Sequence, residues 1–249
     1  MSVVRRMCSV AAVSIAAASV LWAQTPSDKP AARELSVEES YLQESVELMV
    51  IREQTRAESR DMKLVALEYI GEAIEGGRAG AEVQKALEYL ALEGVVSQAR
   101  EGGIGRLTNN YPDVRAKAAK YLGDLGTEEA KKSLIRIVLA EPEPMVLTEA
   151  IKSLGKIGLN SNEETVTAIS WIVTRFDVLN PDNILALSAL EAFEKIAERN
   201  GGIKDPAAIR TILRIAEGQY IRPVQNRAKE VLSNLRKYTA ANSKDTAKK

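Results

Sequence analysis

Histidine is absent from the 249-residue chain. With it go the commonest general base near neutral pH and the commonest metal ligand. Cysteine occurs once, at Cys8, so thiolate catalysis, ordinary zinc sites and disulfides are excluded from everything that follows it. Aromatic residues are only 4% of the chain. Charge of one sign is lacking too: 34 basic and 34 acidic residues cancel, which gives no general attraction to a polyanion. Long apolar runs are missing as well. The stretch from Ser9 to Ala23 is too short to span a bilayer comfortably.

That stretch still carries information. Arg5 and Arg6 precede it and the chain turns polar at Gln24, the order of an export signal. Residues 1–23 are therefore expected to be a signal peptide, with cleavage after Ala23 or, because Leu21 is large, after Ala18. Residues 24–35, with Pro26 and Pro30 and no apolar period, read as a linker. The mature chain would carry 32 bases and 34 acids, contain no thiol, have no integral membrane span and reside in a periplasm or outside the cell.

What is abundant is helix former. Ala, Leu, Ile, Glu, Lys and Arg dominate, and 45% of residues are hydrophobic against 27% charged, so the chain should fold and should be all-α. From Ser36, a capping-box start with Glu39 three residues on leads to Leu42, Val46, Met49 and Val50 on one face of a helix. "DVRAKAAKYLGDLG" (113–126) then returns in spacing as "MVLTEAIKSLGKIG" (145–158). With a small residue and two following apolar residues as ruler, Ala66, Ala118, Ala150, Ala189 and Ala228 align at offsets of 52, 32, 39 and 39. One such period holds two helices and their turns.

Partner helices are expected at 81–94, 128–141, 163–176 and 205–218. Thr127, Asn162 and Asp205 are their expected N-caps, the last with Pro206 at the first helical position, and Gly94 and Gly218 are expected as left-handed ends. A two-helix unit cannot bury its apolar face alone, so units must stack, with the aligned alanines at the crossings. The folded body is placed at 36–237, interrupted by a loop-like insertion at 100–113, and residues 238–249 are expected to form a disordered basic tail.

"PDVRAKAAKYLGDLGTEEA" (112–130) resembles the HEAT repeat, especially the short form also seen in phycobilisome lyases. The resemblance extends over roughly 60–237. It implies a right-handed α-solenoid of about five helix pairs, commonly an adaptor gripping other proteins on its concave side. It also implies a ladder between repeats, for which Asp113 and Arg115 match. Asp61 and Asp182 keep only the acid, and Leu147 and Ile184 stand where Arg115 does.

The search for chemistry ends without a catalytic set. Glu128/Glu129 and Glu163/Glu164 lie in helix first turns, where acids oppose the macrodipole, and neighbours on a helix do not face one another. Glu141/Glu143 is no better placed. "GGIG" (102–105) lacks the preceding strand and following Gly-Lys-Ser/Thr of a phosphate loop. Asn160, Asn162 and Glu163 do not make a calcium loop. Trp171, among Ile169, Ile172 and Val173, is expected to pack in the core.

Two residues beyond each ruler alanine, and one turn on, lies the outward side. It reads Glu68, Lys120, Lys152, Glu191 and Glu230, then Glu72, Asp124, Lys156, Lys195 and Asn234. Mixed sign argues against nucleic acid. The sequence thus predicts a non-catalytic, exported scaffold without cofactor or metal. It would hold a protein partner on that side, in the assembly of an envelope complex. The alternatives are a lyase-like chaperone for a small chromophore and a structural cap or self-assembling subunit.

Overall fold

A computed structural model describes residues 36–101, 105, 107–179 and 181–246. The expected signal peptide and linker lie outside these residues. Ten α-helices follow one another: α1 (Val37–Arg56), α2 (Arg60–Glu75), α3 (Ala81–Leu92), α4 (Pro112–Leu125), α5 (Glu128–Ala140), α6 (Pro144–Ile157), α7 (Glu164–Leu179), α8 (Asn183–Asn200), α9 (Pro206–Glu217) and α10 (Arg222–Thr246). The described residues form no extended strand, only two isolated bridges, both in the α3–α4 connection. The even-numbered helices are the five ruler helices.

Each odd helix packs antiparallel on the even helix after it, making five pairs, and each pair leans on the next. The result is a two-layer, all-α solenoid. One continuous core runs between the layers from Ile51 to Leu235. Ala66, Ala118, Ala150, Ala189 and Ala228 are all fully buried.

Local chemistry sets the boundaries. The Ser36–Glu39 capping box is closed in both directions, at 3.2 and 3.0 Å. Thr127 accepts from the Ala130 amide at 3.0 Å and Asp205 from the Ala207 amide at 2.8 Å, satisfying amides that have no partner inside their helices. α7 is different. Asn162 lies in a 3₁₀ turn (Ser161–Glu163) with φ of 55°, and it is the Asn160 side chain that accepts from Val166 at 3.2 Å. Asn tolerates the left-handed region where most side chains do not, so its role there is the bend rather than the cap.

Of the two expected left-handed ends one holds: Gly94, at φ 80°, directly follows Glu93, the C-cap of α3, whereas Gly218 is extended, at φ −83°. Gly126, Gly158 and Gly201, each at φ 67°, are further left-handed caps. α10 runs to Thr246, so its helical backbone passes the boundary placed at 237.

The first helix turns most of its apolar face outward. Leu42, Val46 and Met49 are 67%, 52% and 57% exposed, whereas Glu47, Ile51 and Thr55 are buried. α1 has neighbours only in α2 and α3, and Arg78 makes burial of Glu47 tolerable by donating to both its carboxylate oxygens at 3.1 and 3.0 Å. Trp171 is 45% exposed on α7, its ring under the Arg175 guanidinium at 5.5 Å. The side of α7 facing the core is filled by Ile169, Ile172 and Val173.

Candidate functional site

Three glycines set the geometry of the even layer. A Cβ on Gly71 would lie 2.6 Å from the Tyr121 hydroxyl, one on Gly123 2.5 Å from the Ser153 hydroxyl, and one on Gly155 2.7 Å from the Ala192 Cα. All three stand five residues after the ruler alanine and meet the residue three after the next one. Successive even helices therefore touch backbone to side chain or nearly backbone to backbone. Contact between them is more extensive than between successive odd helices. The even layer is therefore the more closely packed of the two.

The odd layer is joined by polar links instead. Arg52 reaches Glu82 from α1 to α3 at 3.5 Å. Ser133 of α5 donates to Glu88 of α3 at 2.6 Å, and Thr167 of α7 to Asp205, the cap of α9, at 2.9 Å. Lys131 of α5 is fully buried between Glu128 and Glu164, the latter on α7. Burial pulls the Lys131 ammonium down, but the hydrogen bonds and charges of those two carboxylates outweigh it and leave it above its usual range.

Between the layers runs the ladder. Lys63, at the start of α2, is fully buried and reaches the Glu93 carboxylate at 2.7 Å and the Thr55 carbonyl at 3.1 Å. One pair later Arg115 holds the same register position and donates to Glu141 through Nε at 2.7 Å and a terminal nitrogen at 3.1 Å, with Asn110 accepting from the other nitrogen at 2.7 Å. Glu93 and Glu141 are the C-cap residues of α3 and α5. In α2 and α4, then, a base opening the even helix pairs with the acid closing the next pair's odd helix. Asp113 has a separate partner, Arg60 of the preceding pair, at 2.6 Å; that carboxylate's hydrogen bond and charge raise the Arg60 guanidinium above its ordinary value. Leu147 continues the register as a buried apolar residue; in α8 the position belongs to buried Ala186, not to Ile184 as the sequence suggested, which is exposed, and the charged ladder stops there. Asp182 caps α8 by accepting from Ile184 and Leu185 at 2.8 and 2.9 Å.

The residues expected to face a partner occupy the solvent side of the even helices. Glu68 and Glu72 lie on α2, Lys120 and Asp124 on α4, Lys152 and Lys156 on α6, Glu191 and Lys195 on α8, Glu230 and Asn234 on α10. Of the nine charged residues only Asp124 is half-buried, and Lys156 of the next helix bridges to it at 2.6 Å.

Glu194, one register position further round, was not singled out in the sequence reading. It stands where Gly71, Gly123 and Gly155 do, and instead of admitting the next helix it meets Arg227 and, at 2.8 Å, Asn234 of α10. The glycine contact is lost, and a groove of about 490 Å³ opens between α8 and α10, edged by Glu191, Lys195 and Glu198. Extending the register by one position would have found it: a carboxylate replaces three glycines. Among the described residues no helix is long and apolar enough to cross a membrane.

Stacked antiparallel pairs with small residues at the crossings define an α-solenoid of short helical repeats. Residues 104–190 match the family model of HEAT repeats, a stretch that runs from before α4 into α8, and the described residues as a whole form an all-α repeat solenoid. No curated protein matches the chain. Helical repeats of this kind serve as scaffolds commonly used for protein interaction.

Proposed function

We propose that the protein is an exported, non-catalytic scaffold that holds a protein partner along its even helices, in the assembly of an envelope complex. The observation that carries this reading is the ordered charge on that side. It runs acidic on α2, mixed on α4, basic on α6 and mixed again on α8, over a surface that the glycine contacts hold at close, fixed spacing. Charges fixed in this way select a complementary partner and speed its arrival more than they raise affinity. Export is supported by the order of charge and apolarity in residues 1–23 alone.

The test places a photo-crosslinking residue at Lys152 or Lys195, and in parallel at Lys132 on the exposed side of α5, in the native host. Crosslinking to one defined protein from the even helices and not from α5, lost on Lys152→Glu with Lys195→Glu at unchanged helicity, is the expected result. The reverse pattern would move the binding surface to the other layer.

A further inference from the structure

The two ends of the described stack are unlike, and each is unfinished. Inner pairs show what should cover the front. Val114, Val146, Leu185 and Val224, at one register position of α4, α6, α8 and α10, are at most 1% exposed under the preceding pair. At that position α2 has Met62, 47% exposed, and one contact further along it has Tyr69, 37% exposed where Tyr121 receives Gly71. No described helix covers them. Leu42, Val46 and Val50 of α1 join Tyr69 in a groove of about 330 Å³ whose rim carries Glu72 and the mutually paired Glu47 and Arg78, one net negative charge.

The tail shows the opposite face of a unit. Ala207, Arg210, Thr211 and Arg214 of α9 face α7; Ile209 and Leu213 look the other way, where a further odd helix would lie. With Leu232 and Tyr238 of α10 they wall a groove of about 820 Å³, rimmed by Lys204 and Arg236. Lys229 is exposed at the register position where Leu67, Ala119, Ile151 and Leu190 are buried under the next pair.

We propose that the protein associates head to tail with a second copy of itself, the first pair of one chain seating on the last pair of the next. Charge selects this pairing. Residues 37–75 hold ten acidic and four basic residues, a net charge of minus six, whereas residues 206–237 hold seven basic and two acidic, plus five. Front against front would oppose minus six with minus six. Front against tail places an acidic rim on a basic one and apolar groove on apolar groove, in the same sense in which each pair already stacks on its neighbour. Such an interface is heterologous and leaves a free front and a free tail at each step, so association does not close at two chains. This inference rests on the stacking of the pairs and is independent of what the even helices hold.

The experiment is sedimentation velocity of the full chain over a concentration series at low and high salt. The wild type is expected to exceed the mass of two chains as concentration rises and to fall back as salt screens the rims. Val46→Asp with Tyr69→Asp spoils the front; Leu213→Asp with Lys229→Glu spoils the tail. Each variant alone is expected to sediment as one chain, and an equimolar mixture as two chains and nothing larger, because one intact front meets one intact tail. If a double substitution lowers the melting temperature, Val46→Asp and Leu213→Asp, both at exposed positions, repeat the test singly. A wild type that stays a single chain throughout, its front covered by residues before Ser36 or by another protein, overturns the proposal. Association that stops at two chains and is not restored in the mixture also overturns it, since that is front-to-front pairing.

Discussion

At Arg115 a guanidinium 1% exposed meets a Glu141 carboxylate equally hidden, and every charged atom of the pair has a partner within the protein. Neither ion can be left alone there without a large desolvation cost. Arg115→Leu is therefore expected to destabilise the fold by about 3–5 kcal/mol. Adding Glu141→Leu should recover part of that loss, because the stranded carboxylate goes with its partner. Arg60→Ala, which breaks the exposed pair with Asp113, should cost far less, because solvent screens that pair. Urea unfolding of the four proteins reads all three effects; equal losses for Arg60 and Arg115 would contradict the account. The sequence marked Asp113 and Arg115 as a ladder motif, but their partners were not legible. Glu141 is 26 residues from Arg115 and Arg60 is 53 from Asp113, separations at which only the stacking of pairs decides who meets whom.

Between elements, the same glycine substitution has different costs at two equivalent positions. A methyl on Gly155 would strike the backbone of α8 at Ala192, whereas on Gly71 it would meet the far end of Tyr121, a half-buried side chain that can swing aside. Gly155→Ala is expected to destabilise by about 1–3 kcal/mol through overpacking. Gly71→Ala should be nearly neutral, because the gain in helix propensity of about 1 kcal/mol offsets the adjustment. Denaturation midpoints measure both, and similar losses at the two sites would mean that the α2–α4 contact is as rigid as the α6–α8 one. Element by element the helices were readable, since capping residues and apolar period act within a few residues of one another. Trp171 was misread and the openness of the α1 face was not legible for one reason: periodicity reports which residues share a face but not whether a neighbour exists to cover it. Leu42, Val46 and Met49 share a face that the described fold leaves open.

Across the whole molecule, stability should vary with position in the stack. α4 and α6 have even helices on both sides, while α2 and α10 have a described neighbour on one side only. In a solenoid each unit is held by its own core and its nearest neighbours, so opening should start at the ends. Amide hydrogen exchange under native conditions is expected to be slowest in α4 and α6 and faster in α1 and α10. Uniform protection would show instead that the five pairs unfold as one unit.

By itself the sequence determined that the described chain is all-α, that helix pairs recur, which aligned alanines are buried and which charges face outward. These properties follow from periodicity and capping, which are local. Only the tertiary structure decided that glycines at one register position draw the even helices together and that Glu194 breaks that series. It also decided that buried bases pair with the acids closing the next odd helices, and that the two ends expose apolar faces of opposite charge. Those outcomes depend on contacts between residues tens of positions apart, and stacking creates such contacts where no local period records them.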